Sequence, residues 1–161
     1  VIIFLDIDGT CANATERFKS AGPEPKGRGP EYWKWLHNVQ SIESLSKDKP
    51  VQCMSTLANI FNSHIDTIII YLTGREEIYR DTTVGWLHRF NFPEAKLIMR
   101  PIGDKRSNGE YKEFIIKTAK DYEILVIDDD YTGEIEEICY KNKWTFLKAC
   151  SGGVREYGKK S

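Results

Sequence analysis

The sequence predicts an α/β fold, a doubly wound parallel sheet flanked by helices with a small cap or lid insertion after the first strand. Three observations predict it. Five short runs rich in Ile, Val, Leu and Phe are nearly continuous rather than alternating, as in strands covered on both faces of a parallel sheet. Segments with helical spacing separate these runs. Polar and acidic groups follow the runs, and in open α/β sheets ligands bind beyond the carboxyl ends of the strands.

The first run is Val1–Leu5. Residues 11–50 follow it before regular alternation begins. Within them, residues 21–30 are Gly/Pro-rich and form a loop, and Tyr32, Trp33, Trp35, Leu36 and Val39 are spaced as an amphipathic helix. An insertion at this edge of the sheet is a candidate lid, with plain extension of the core as the alternative. Met54, Leu57, Ala58, Ile60, Phe61 and Ile65 fit a helix after Pro50. The second run is Thr67–Leu72, followed by a helix carrying Ile78, Val84, Trp86, Leu87 and Phe90 and ended by Pro93. The third is Lys96–Met99, with Phe114, Ile115, Ala119 and Tyr122 on the next helix. Glu123–Ile127, a helix with Ile135, Ile138 and Cys139, and the run Thr145–Leu147 complete the pattern. Buried helix turns are the alternative for such runs, but a length of about four to six residues between polar segments favours strands. The arrangement is Rossmann-like, and no repeat or domain boundary breaks residues 1–161.

A chain of 161 residues suits one domain, at about 150 residues per domain. Hydrophobic residues at 40%, charged residues at 29% and a mean hydropathy of −0.47 fit an ordinary soluble domain rather than a disordered chain. No apolar run reaches the roughly 18 residues of a membrane span. With 23 basic and 24 acidic residues the net charge is −1, which excludes a globally basic nucleic-acid coat but not a local basic groove. Cys11, Cys53, Cys139 and Cys150 lack metal-finger or CxxC spacing, so they read as reduced thiols of a cytoplasmic protein. The start at Val1 has neither the basic segment nor the cleavage site of a signal peptide.

The residues after the strands carry the chemistry. Asp6-Ile7-Asp8-Gly9-Thr10 places two carboxylates at the mouth of a buried strand, which is costly unless positive charge meets them. Thr73-Gly74-Arg75 follows the second run; a hydroxyl and a glycine amide opening a helix make a phosphate cradle, and a plain N-cap is the alternative. Arg100 to Arg106, with Lys112 beyond, is a basic cluster around Asp104. Asp128-Asp129-Asp130 repel one another, and a divalent cation relieves that; oxygen-only ligands point to Mg²⁺ rather than zinc. An acidic loop capping a helix at Thr132 is the alternative.

Together these segments resemble the haloacid dehalogenase-like (HAD) phosphohydrolases. The DxDGT motif corresponds to Asp6–Thr10, the strand ending in Thr to Thr73, the upstream Lys to Lys112 and the acidic pair to Asp128-Asp129. The stretch Met99-Arg100-Pro101, Gly103-Asp104, Arg106 and Lys112 is further similar to the 3′-phosphatase domain of polynucleotide kinase/phosphatases and to small phage HAD phosphatases. So is Asp8–Asn13 with Arg17, and the likeness covers roughly residues 1–150. It departs at Asp130, where these families often have Arg, and at the longer loop before Tyr32.

The resemblance implies phosphoryl transfer through an aspartyl-phosphate. It makes Asp6 the nucleophile and Asp8 the general acid and then base, held by Thr10, with an Asp8 pKa nearer neutrality than a free Asp. It implies Mg²⁺ on Asp6, the backbone carbonyl of Asp8 and Asp128, with Asp129 bound directly or through water. Thr73, the Gly74 amide and Lys112 bind the phosphoryl oxygens; Lys105 competes with Lys112. Arg17, Arg75, Asp104 and Arg106 are candidates for substrate recognition, with Arg28 a rival to Arg17. Substrates are then a nucleic-acid 3′ end or a nucleotide; an unrelated phosphorylated metabolite and a non-catalytic binding module are the alternatives. The aromatic set Tyr32, Trp33 and Trp35 either packs the insertion onto the core or stacks a base. No GxxxxGK[ST] occurs, so these residues hold no P-loop kinase half. No membrane and no obligate protein partner is indicated.

Overall fold

The apolar runs of the sequence become adjacent parallel strands in the computed structural model, which describes residues 1–149. Cys150 and the tail from 151 to 161 lie outside the described residues. In chain order the elements are β1 (Ile2–Leu5), β2 (Ala12–Asn13), α1 (Thr15–Ala21), α2 (Pro30–Val39), α3 (Ile42–Ser46), β3 (Lys49–Pro50) and α4 (Gln52–Asn62). Then come β4 (Ile68–Glu76), α5 (Arg80–Arg89), β5 (Lys96–Arg100), α6 (Asn108–Ile116), β6 (Ile124–Asp128), α7 (Glu134–Asn142) and β7 (Thr145–Lys148).

The main sheet has the order β5-β4-β1-β6-β7, with every pairing parallel. The chain starts at the centre, winds outward through β4 and β5, then returns beside β1 as β6. That reversal opens a crevice at the carboxyl ends of β1 and β6. Ile3, Leu5, Ile69, Tyr71 and Ile127 face one way, onto Met54 and Ala58 of α4 and Trp86 and Leu87 of α5. Ile2, Phe4, Ile70, Leu72 and Val126 face the other, onto Tyr111 and Ile116 of α6 and Ile135 and Cys139 of α7. Successive residues of a strand point to opposite faces, and both faces are covered, so the strands read as unbroken apolar runs.

The structure corrects three readings. β4 runs on to Glu76, so Thr73-Gly74-Arg75 lie in the strand and do not open a helix. A register shift between Thr73 and Glu76 against β5 accommodates the extension. The third crossover helix begins at Asn108, several residues before its apolar pattern, because Ser107 and Glu110 form a capping box. The insertion contains α1 and α3 besides the expected α2, and its neck is closed by antiparallel pairing of Ala12 with Pro50 and Asn13 with Lys49. No helix among the described residues is long and apolar enough to cross a membrane.

Candidate active site

β1 delivers Asp6 to the crevice, where its backbone N–H donates to the Ile127 carbonyl of β6 at 3.0 Å. The chain then turns sharply: the N–H groups of Cys11 and Ala12 both donate to the Ile7 carbonyl. Gly9 holds φ +89°, and a Cβ there would collide with the Asp129 carboxylate, so only glycine lets β6's acidic end approach this turn. Lys112, from the second turn of α6, donates to Asp6 Oδ1 at 2.6 Å and to Asp128 Oδ2 at 2.5 Å. All three residues are buried. The second Asp128 oxygen accepts the Asp130 N–H at 2.8 Å. Carboxylate oxygens of Asp6, Asp128 and Asp129 lie within 4.8 Å of one another.

Burial raises the Asp6 pKa well above the ordinary carboxylate value, and Asp128 and Asp129 add to that against the pull of Lys112. For Lys112 burial acts downward, but Asp128 and Asp6 outweigh it and hold the ammonium charged. One ammonium shared by two carboxylates leaves excess negative charge. An all-oxygen donor set of this kind suits a hard divalent cation and not zinc, which favours nitrogen and sulfur. The acidic cluster therefore fits a metal centre. The Asp8 carboxylate is not part of it.

Asp8 points instead into a second cluster. Arg75 donates to Asp8 Oδ1 through Nη2 at 2.6 Å and to both oxygens through Nε at 3.1 Å, and Arg17 Nη2 also donates to Oδ1. Both guanidiniums reach Asp48 as well, Arg17 at 2.9 Å and Arg75 at 3.3 Å. Arg17 donates further to the Val39 carbonyl and Arg75 to Thr83. Asp48 is fixed in turn by its neighbours: its carbonyl accepts the Trp86 indole N–H at 2.9 Å. Burial alone raises an Asp pKa, but Arg17 and Arg75 overcome it and hold Asp8 well below the usual range. This is the opposite of the near-neutral Asp8 expected from the sequence. The cause is the pair of guanidiniums, whose approach to Asp8 across 9 and 67 residues of chain leaves no local pattern.

The remaining candidates divide. Thr73 is fully buried and its hydroxyl accepts the Arg75 N–H at 3.2 Å. Thr10 is also fully buried, and its hydroxyl has no hydrogen-bond partner among the described residues. Gly74 lines the cavity described below, its carbonyl held by Arg100 Nε at 3.3 Å. Asp104 and Arg106 pair with each other and brace the turn between β5 and α6, and Arg106 lies over the Phe114 ring. Burial acts against Arg106 here, but the Arg106 hydrogen bond is the larger influence and holds Asp104 at a pKa of about 2. Lys105 is exposed and borders a separate, smaller cavity of about 370 Å³, so Lys112 is the lysine at the acidic cluster. Asp130, at φ +29°, accepts the N–H groups of Ile135 and Glu136 and caps α7, which accounts for an acid at this position.

A cavity of about 620 Å³ stands over the acidic cluster. Asp6, Asp8, Lys112 and Asp128 line its floor; the insertion supplies Phe18, Arg28, Tyr32 and Trp35. Its size falls in the range of sites for ligands of drug size. Phe18, Arg100 and Asn108 belong to this lining and were not among the expected site residues. Only Arg100, in its basic cluster, left a signal in the sequence.

A similar fold recurs in solved structures. A chain of the Pnkp1/Rnl/Hen1 RNA repair complex matches 93% of this one with a TM-score of 0.67 at 18% identity. A second structure of the Pnkp1/Rnl/Hen1 complex matches 95% with a TM-score of 0.66, also at 18% identity. The HAD domain of the effector protein Lem4 from Legionella pneumophila, as an inactive mutant, matches 96% with a TM-score of 0.53 at 16% identity. The fold is HAD-like. The chain spans 42% and 46% of the matched repair-complex chains, and the match covers 87% of the Lem4 domain. No family model and no curated protein matches it.

Proposed function

We propose that the chain is a Mg²⁺-dependent phosphomonoester hydrolase that works through an aspartyl-phosphate on the 3′-phosphorylated end of a nucleic acid. The observation that carries the reading is the position of Asp6. It lines the cavity between Lys112 and two further carboxylates, while Asp8, two residues on, is held by two arginines.

Asp6 Oδ1 is bonded to Lys112, which leaves Oδ2 to attack phosphorus. The Asp6–phosphorus bond forms as the ester phosphorus–oxygen bond breaks, and Asp8 gives its proton to the leaving oxygen. Water then attacks phosphorus, Asp8 takes the proton, and inorganic phosphate leaves. Asp8 is a carboxylate in the arrangement described, which suits the second half of this cycle. An anionic ester beside it raises its pKa for the first half. Asp6, Asp128, Asp129 and the Asp8 backbone carbonyl are the residues to hold Mg²⁺, whose charge lets an anionic nucleophile approach an anionic phosphate. Lys112 and the Gly74 amide receive the phosphoryl oxygens in this reading, which is supported by both residues lining the cavity.

The nucleic-acid part of the reading is supported by the Met99-Arg100-Pro101 to Lys112 stretch and by the likeness of fold to a chain of an RNA repair complex. A specific observation favours a second reading, a small phosphorylated metabolite: the insertion walls the cavity on one side. Phosphate release separates the two. The assay sets a 3′-phosphorylated oligonucleotide beside mononucleotides and sugar phosphates, each with Mg²⁺ and with EDTA. Mg²⁺-dependent release from the oligonucleotide is expected. Release from sugar phosphates alone overturns the nucleic-acid reading, and release unaffected by EDTA overturns the metal.

A further inference from the structure

Phe18, Tyr32 and Trp35 form a continuous aromatic wall on the insertion side of the cavity. The Phe18 and Tyr32 ring centroids each lie 5.9 Å from that of Trp35. Tyr32 and Trp35 are three apart on α2 and so share one helix face. Phe18 joins them from α1. None of the three belongs to a buried apolar cluster among the described residues, and Phe18 leaves 39% of its surface exposed. The alternative role of these rings, packing the insertion onto the core, is carried by other residues: Val39 and Leu45 are buried, and Arg17 and Gln40 bond to core groups. The Trp35 indole N–H is committed to the Gly22 carbonyl at 3.1 Å, so the ring is fixed by its polar edge and offers the cavity an apolar surface.

We propose that this wall is the leaving-group subsite and takes the unpaired base of the 3′-terminal nucleoside by stacking. The inference rests on the phosphomonoesterase reading and names what the cavity recognises beyond the phosphate. Three features select a nucleobase. The wall presents π surface rather than the convergent donors a polyol needs. It shares one cavity with Asp6, so a phosphate on Asp6 and a base on the wall belong to one ligand of the size the cavity admits. Besides Lys112, the cations lining the same cavity include Arg28, whose guanidinium lies 5.4 Å from the Tyr32 ring centre, and Arg100, where a neighbouring strand phosphate can sit. Stacking tolerates any base, so terminal base identity matters little. A paired base must leave its duplex stack first, so blunt duplex ends react more slowly than single-stranded ends.

The test uses 3′-phosphorylated oligonucleotides that differ only in the last residue, a normal nucleotide or an abasic sugar. The base-bearing substrate is expected to exceed the abasic one in kcat/KM by about 10- to 100-fold. That ratio falls toward one in Phe18→Ala and Trp35→Ala and is kept in Trp35→Phe. A ratio near one in the wild-type protein, or one that survives both alanine variants, overturns the proposal. Adenosine 3′-monophosphate titrated into the Asp6→Asn protein gives a second readout without turnover: it is expected to quench tryptophan fluorescence, less so in Trp35→Phe. Quenching without phosphate release from any wild-type reaction supports the wall and overturns the phosphatase reading instead. Phosphate release without quenching or base preference keeps the phosphatase and overturns the wall.

Discussion

Asp6 shares a single ammonium with Asp128, whereas Asp8 shares two guanidiniums with Asp48. Both carboxylates come from one turn after β1. The Asp8 cluster balances its own charge, two acids against two arginines, and it knits the insertion to the sheet through Arg17 and Arg75. The Asp6 cluster does not balance with Lys112 alone, although Asp6 and Asp8 both line the cavity. Burial acts upward on both pKa values, yet they move in opposite directions because the arginines win at Asp8 and Lys112 does not win at Asp6. The comparison separates a charge-balanced cluster from one that Lys112 alone does not neutralise.

The largest expected effect breaks the Asp6 side alone. Asp6→Asn is expected to lower phosphate release by at least about 10³-fold, as removal of a nucleophile does, with an unchanged far-ultraviolet circular dichroism spectrum. A variant that retains activity assigns attack to another group. On the other side, Arg75→Met is expected to destabilise the fold by about 3–5 kcal/mol in urea unfolding, because the side chain is fully buried and Asp8 and Asp48 lose a partner. A loss near zero contradicts the structural role of that cluster.

A divalent cation distinguishes the clusters directly. Mg²⁺ at 100 times its dissociation constant is expected to stabilise the protein by about 2.7 kcal/mol, read as a rise in Tm. The rise disappears in Asp128→Asn and persists in Asp48→Asn. The smallest effect concerns Asp104, outside both clusters. Its pKa of about 2 is depressed, so its pairing with Arg106 stabilises the fold above the unfolded value near 4 and is lost as pH falls toward 2. The urea midpoint of the wild-type protein is therefore expected to fall between pH 5 and pH 2 by more than that of Asp104→Asn.

Much of this frame is legible from sequence, and the reasons are local. β1 and β6 are covered on both faces and read as unbroken apolar runs, which also places Asp6 and Asp128 at their ends. Ser107 and Glu110 carry the signature that starts α6, although the apolar spacing alone puts that helix later. Other features leave no such mark. Thr73-Gly74-Arg75 does not look like a strand, and a fully buried Arg75 makes sense only once Asp8 and Asp48 are beside it. α1 is short and buries Arg17 rather than an apolar stripe, so its periodicity misleads. Phe18 meets Trp35 across two helices, a contact that no spacing within either helix announces.

The division between the two carboxylates is tested most directly by trapping the reaction partway. A 3′-phosphorylated oligonucleotide is mixed with the protein and Mg²⁺, quenched in acid within one turnover, and digested for mass spectrometry. A phosphoryl group placed on Asp6 by fragmentation of the peptide that also carries Asp8, and absent from Asp6→Asn, is the result this account predicts. Turnover with no phosphorylated peptide, or a phosphoryl group on Asp8, contradicts it.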